Sequence, residues 1–274
     1  MKTTKQSGQI RRRSIRSSEQ KQFHNSTVPR SSNFIGPNRH VYCAVMTSQS
    51  SIYVPGPNSW AKPGSAERNK VEVLPLLQPW LTGAALNDGT PIEPRKVLEV
   101  ASGFGKQVSY FAEDTPSVTF QPTEAQDECV AAMKEVAKQA ANGNILQPLK
   151  LNALSDADWL NVLETTGPYD GIFVLNMLHI SPWESTEKLF LHAGKILQGK
   201  VGAFLAVYGA FKRNGEFSGE GDRLFDIDLK ARDAQWAIRD LEGEIVPEAE
   251  KNGLKLTACH QLNFNNLLVI WTLA

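Results

Sequence analysis

No stretch of the 274-residue chain reaches the roughly 18 consecutive apolar residues a membrane-spanning helix needs. Cysteine is scarce: Cys43, Cys129 and Cys259 lie far apart without C-x-x-C spacing. That excludes a disulfide framework and a zinc site and points to a reducing compartment. The third glycine of the dinucleotide loop and the first of the phosphate loop are also missing. After Gly103 and Gly105, Val108 stands where the dinucleotide fingerprint G-x-G-x-x-G needs its last glycine, which disfavours a dehydrogenase. Gly105-Lys106 is followed by Gln107, so there is no G-K-[ST] phosphate loop. Net charge is lacking too, since 29 basic residues balance 29 acidic ones, but the balance is uneven along the chain. Residues 1–40 hold nine Lys or Arg against the single acid Glu19, leaving 20 basic and 28 acidic residues in the remainder. An acidic domain has no general attraction for nucleic acid, and no aromatic–basic groove is visible.

What is present divides into two parts. Residues 1–64, rich in Ser, Arg, Gln, Asn and Pro and without apolar periodicity, read as a basic, disordered extension. The extension has the composition of an organellar transit peptide, but Ile10, Ile15 and Phe23 are too sparse for an apolar face. Cytoplasmic residence is therefore the expectation, with organellar targeting as the alternative. Residues 65–274 read as one domain. A helix starts at Ser65 and carries Val71, Leu74, Leu77 and Leu81, with Pro75 and Pro79 expected to break or kink it. Strands and helices then alternate: strands near 96–100, 118–121, 145–151, 171–175 and 201–208, with helices near 106–112, 124–141, 156–163, 183–197 and 239–252 between or after them. Two last strands, 254–259 and 266–272, lie close enough in sequence for a hairpin-like edge. The alternation predicts an α/β fold with a mostly parallel, seven-stranded sheet and helices on both faces.

The segment Lys96-Val-Leu-Glu-Val-Ala-Ser-Gly-Phe-Gly105 is the most informative in the chain. A buried strand ends in an acid and two glycines spaced by one, as where backbone must approach a bound nucleoside. Other polar residues stand at strand ends, where open α/β sheets bind ligands. Glu124, with Gln121 as a weaker candidate, offers two acceptor oxygens to a pair of ribose hydroxyls, or serves as a helix N-terminal acid. Asn152 follows the third strand and is equally an ordinary turn residue. Asn176 to Trp183 would cross the mouth of the site. There His179, with its ordinary pKa near neutrality, suits a general base or else a structural hydrogen bond, and Trp183 would pack or wall the pocket. Tyr208, at the tip of the fifth strand, is placed to hydrogen-bond an acceptor. The polar segment Lys212–Leu241 is long for a crossover and suits a lid, braced by an Arg239–Asp240 pair.

Glu99-x-Ala101-x-Gly103-x-Gly105 resembles the first motif of class I S-adenosylmethionine (SAM) methyltransferases. With Glu67-Arg-Asn69, Asn176-Met-x-His-Ile-Ser-Pro-Trp-Glu184, Tyr208-Gly-x-Phe211, Phe225-Asp226, Arg232-Asp, Trp236, Arg239-Asp-Leu241 and Asn265-Asn-Leu267, residues 65–274 resemble the methyltransferase-like protein 26 family. The resemblance implies the Rossmann-like methyltransferase fold and SAM as cofactor, with Glu99 supporting its methionine end. Ala101, Gly103, Gly105 and Asn176 would line its site, with Glu124 on the ribose and Asn152 on the adenine amino group. His179 and Tyr208 would be the catalytic residues, and no metal is expected. The family brings no settled reaction; the expected acceptor is a small molecule or peptide methylated on O or N, in specialised metabolism. The alternative is a SAM-binding regulator or scaffold without turnover. The sequence departs from the family at Lys106-Gln107, Ala210 and Gly221-Asp222, around the expected acceptor side.

Overall fold

A computed structural model describes residues 64–86 and 95–274. The disordered extension expected for residues 1–64 lies, Gly64 apart, outside the described residues, as does most of the loop before the first strand. The first helix, α1 (Ser65–Thr82), is followed by β1 (Arg95–Val100), α2 (Lys106–Asp114), β2 (Val118–Glu124), α3 (Asp127–Gln139) and β3 (Leu149–Lys150). Then come α4 (Asp156–Thr166), β4 (Gly171–Leu175), α5 (Trp183–Leu197), β5 (Phe204–Lys212), α6 (Glu220–Arg232) and β6 (Arg239–Asp240). The chain ends with α7 (Val246–Lys251), β7 (Leu254–Gln261) and β8 (Asn266–Leu273). Strand order is β3-β2-β1-β4-β5-β8-β7, parallel except for the antiparallel β8, with β6 attached to β5 off this path.

Both faces of the sheet are covered, which is why β4 and β5 are almost wholly apolar rather than alternating and why β1 is buried along most of its length. On one face α1 and α2 supply Val73, Leu77, Leu81, Val108 and Phe111 against Val97, Phe120 and Phe173. On the other, α4, α5 and α7 supply Trp159, Phe190 and Ala249 against Leu98, Val174 and Trp271. Pro75 and Pro79 neither break α1 nor end it. Val71, Pro75 and Pro79 recur every four residues on its exposed face, so the carbonyls that the prolines leave unbonded face water, where the loss is cheapest.

Two boundaries differ from expectation near the site. Glu124 closes β2 instead of opening α3, which begins at Asp127. Arg239 and Asp240 form β6 rather than the start of a helix: β5 outruns its pairing with β4, which ends at Tyr208, and with β8, which ends at Ala210, so Phe211 and Lys212 take them as partners. A π-turn over Leu241–Ile245 then leads into α7.

Candidate functional site

Strand order reverses between β1 and β4, and the chain leaves both strands through left-handed backbone. Ala101, Gly103 and Gly105 have φ of 58°, 56° and 74°, and Asn176 has φ of 60°. At Gly105 a Cβ would also come within 3.2 Å of Met133 on α3, so glycine is required there for two reasons. The turn is stitched to the end of β2: the Ser102 amide donates to the Thr123 carbonyl (2.9 Å), the Thr123 amide donates to Ser102 Oγ (3.1 Å), and Thr123 Oγ1 donates to the Glu99 carbonyl (2.7 Å).

Two carboxylates flank this turn. Glu124 Oε2 accepts the Gly103 amide at 2.9 Å, while Oε1 accepts the amides of Ala125 at 2.8 Å and Gln126 at 3.3 Å. Of the roughly four acceptor positions of a carboxylate, three are thus taken by backbone. Glu99 is 2% exposed, and its Oε2 has no hydrogen-bond partner. Burial raises its pKa to about 8, with the nearby Glu124 charge adding to the rise and the Ser102 hydroxyl opposing it. An unsatisfied, nearly sealed carboxyl oxygen at the reversal of strand order suits a ligand that brings a donor or a positive charge.

The other expected residues divide. Asn176 stands at the end of β4 with its amide bonded to the Tyr208 carbonyl (2.8 Å), beside the glycine turn. Asn152 lies beyond β3 and is exposed; its Oδ1 accepts the Leu154 amide at 3.1 Å, the turn role already open to it. Gln121 is fully buried and donates to the Pro122 and Gln147 carbonyls, each at 2.9 Å, so it serves the backbone. Tyr208 is buried in the cluster that faces α1, and burial lifts its pKa to about 12; the expected placement at an open strand tip is not what the fold provides.

His179 does reach the mouth. It lies in a single 3-10 turn, Leu178–Ile180, and its ring sits over β5 at Gly209, where a Cβ would fall 3.2 Å from Nδ1. It is 5% exposed, packs edge-to-face with Phe225 of α6 (5.4 Å between centroids), and neither ring nitrogen is bonded by a described residue. Burial first, then the charges of Arg239 and Arg232, push its pKa down to about 4, not the near-neutral value expected. The imidazole is therefore neutral at pH 7 and is a better hydrogen-bond acceptor than base.

The 212–241 segment packs over this ring. Phe217, Phe225, Leu229, Trp236 and Ile238 form a small cluster with Ala210 and Ile180. Arg239 fastens it, donating to the carbonyls of Leu178 (3.4 Å), Ser181 (2.8 Å) and Gln235 (2.9 Å), with Trp183 beneath its guanidinium at 5.8 Å. Arg239 is thus committed to backbone, not to Asp240, whose amide donates to Glu244 (2.7 Å). Sequence reasoning missed the tip of the β7–β8 hairpin, where Phe264 and Asn265 both adopt left-handed φ (57° and 58°) and Asn265 Nδ2 donates to Asp222 Oδ2 of α6 (3.2 Å). The asparagine at 265 was the available signal, since asparagine tolerates that conformation. Two open grooves, of about 180 Å³ beside the C-terminal ends of α2 and α3 and about 460 Å³ between α5 and the C-terminus, lie away from these residues. Among the described residues no cluster of three or more His, Cys, Asp or Glu suits a metal, and no helix is long and apolar enough to cross a membrane.

This strand order, with its glycine turn and antiparallel last pair, is that of the class I methyltransferases, and solved structures agree. The fold matches an O-methyltransferase family protein from Burkholderia thailandensis at a TM-score of 0.56 and 15% identity, over 77% of this chain and 60% of that one. It matches an O-methyltransferase family 2 protein from Planctomyces limnophilus, in complex with apigenin, at 0.55 and 17%, over 77% and 62%. CalO1, a methyltransferase in calicheamicin biosynthesis in its S-adenosylhomocysteine (SAH) bound form, matches at 0.53 and 14%, over 73% and 54%. The chain spans about three fifths of the length of the first two. Residues 61–273 match the family described as protein of unknown function, DUF938, and the chain belongs to that family.

Proposed function

We propose that this protein is a SAM-dependent methyltransferase of the methyltransferase-like protein 26 group, acting on a small molecule or peptide. The observation that carries the reading is the unpartnered oxygen of Glu99, buried at the carboxyl end of β1 beside a left-handed glycine turn. When bound, SAM supplies an electrophilic methyl group on a sulfonium, together with an ammonium and two ribose hydroxyls. Glu99, which holds its proton near neutral pH in the absence of a cation, gives it up to pair with the ammonium end. Gly103 and Gly105 let the backbone come close without Cβ atoms, and Ala101 and Asn176 shape the two strand exits. Glu124 retains about one acceptor position for a ribose hydroxyl while it holds the Gly103 amide. Asn152 Oδ1, which holds the Leu154 amide through one lone pair, keeps the other for the adenine amino group. His179, uncharged and flanked by Phe225, orients the acceptor by accepting a hydrogen bond. Tyr208 acts from beneath, through its carbonyl bond to Asn176. The SAH-bound and apigenin-bound neighbours support a site of this kind.

Calorimetric titration of the full chain with SAM and SAH tests the reading, with Gly103→Val as control. Micromolar binding that disappears in the control is the expected result. Absence of binding by the unaltered protein would refute it and favour a scaffold with a methyltransferase fold.

A further inference from the structure

Above β5, next to the exit of β4, one side chain of the 178–180 turn and two of α6 lie together without being explained by folding alone. His179 lies over Gly209, Phe225 stands against His179, and Asp222, one turn earlier on α6, is held by Asn265 of the β7–β8 hairpin. Asp222 is 8% exposed, and its bond to Asn265 uses only Oδ2; no described residue bonds Oδ1. His179 is likewise more than nine-tenths buried with no described partner for either ring nitrogen. Two buried side chains therefore offer unused acceptor positions beside Phe225, His179 by ring contact and Asp222 one turn away on α6, and neither offers a positive charge. Burial raises the Asp222 pKa, as expected of a carboxylate short of a cation. The cations nearby are occupied: Arg239 donates to three carbonyls, while Arg232 lies 3.8 Å from Asp228 and over Trp236.

We propose that Asp222, Phe225 and His179 form the acceptor subsite of this protein and that it selects an organic amine carried as an ammonium ion. The carboxylate accepts a charge-assisted hydrogen bond from the ammonium, Phe225 gives it a ring on which to lie, and the neutral imidazole accepts a second donor of the ligand. The consecutive left-handed residues Phe264 and Asn265 belong to the same arrangement: this strained backbone holds the amide that fixes Asp222. An anionic acceptor would instead face the Asp222 carboxylate. The assignment of this subsite to the methyl acceptor rests on the cofactor reading above; the amine selectivity does not.

The test compares phenethylamine with its near-isostere 3-phenylpropionate, each titrated by saturation-transfer NMR into the full chain with and without SAH. Phenethylamine is expected to bind at least tenfold more tightly than the acid. Asp222→Asn should lower that affinity at least tenfold, Phe225→Leu should weaken it, and SAH binding should be unchanged in both variants. Melting curves for each variant separate lost binding from lost folding. Equal or tighter binding of the acid, no binding of the amine, or an Asp222→Asn variant that folds and still binds the amine would each overturn the proposal. A protein that binds the amine but not SAH would retain the amine subsite and overturn the cofactor reading alone.

Discussion

At the scale of single residues, the two carboxylates beside the glycine turn show how one functional group takes opposite states from its surroundings. Glu124 is held by three backbone amides, whereas Glu99 has one oxygen without any partner. Because the folded-state pKa of Glu99 is raised from 4.5 to about 8, the folded protein keeps a proton that the unfolded chain has already released between those values. Stability should therefore fall as pH rises through this window, by at most about 1.4 kcal/mol per pH unit. Glu99→Gln removes the effect. Thermal melts should give similar midpoints for both proteins near pH 5 and a growing advantage for the variant toward pH 8.5. Parallel curves would mean that Glu99 ionises normally.

At the scale of elements, the 212–241 segment behaves as a cover fixed by one side chain. Arg239 joins β6 to the turn that carries His179 through the Leu178 and Ser181 carbonyls, and to the cover itself through Gln235. Arg239→Ala would leave these buried acceptors unsatisfied, at about 1–3 kcal/mol for each that water does not reach. Hydrogen exchange should speed up in residues 178–183 and 235–240 and stay unchanged in β1 and β4, whose amides are protected by the sheet. Uniform loss of protection across the sheet would show that Arg239 supports the whole domain and not the cover. The element boundaries were legible in outline. The pattern of apolar residues located β4 and α5 to the residue, because β4 is a sharply bounded apolar run and α5 a long periodic helix. It misread Arg239–Asp240 as helical, because two residues carry no period and their strand state depends on the open edge of β5.

At the scale of the whole molecule, the fold gathers residues from β1, β2, β4, β5, α6 and the β7–β8 hairpin along one end of the sheet. If that end holds SAM, saturating SAH at about 100 times its dissociation constant should stabilise the domain by about 2.7 kcal/mol. For a domain of this size that is a rise of about 5–11 °C in melting temperature. The rise should vanish in Gly103→Val. A rise that persists there would locate the ligand elsewhere.

The sequence by itself determined the α/β class, the buried β1, and the turn at Gly103 and Gly105, because period, burial and left-handed backbone are local properties. It also brought Glu99, Glu124 and Asn176 to the strand ends, since a strand delivers its last residues there wherever its neighbours lie. Tertiary structure alone decided the rest. The proton affinity of His179 depends on burial and on guanidiniums from residues 232 and 239. The depth of Tyr208 depends on the α1 face. Asp222 and Asn265, 43 residues apart, meet only because β8 inserts antiparallel beside β5 and turns its hairpin tip toward α6. Charge, burial and hydrogen bonding act through space, and no spacing along the chain encodes them.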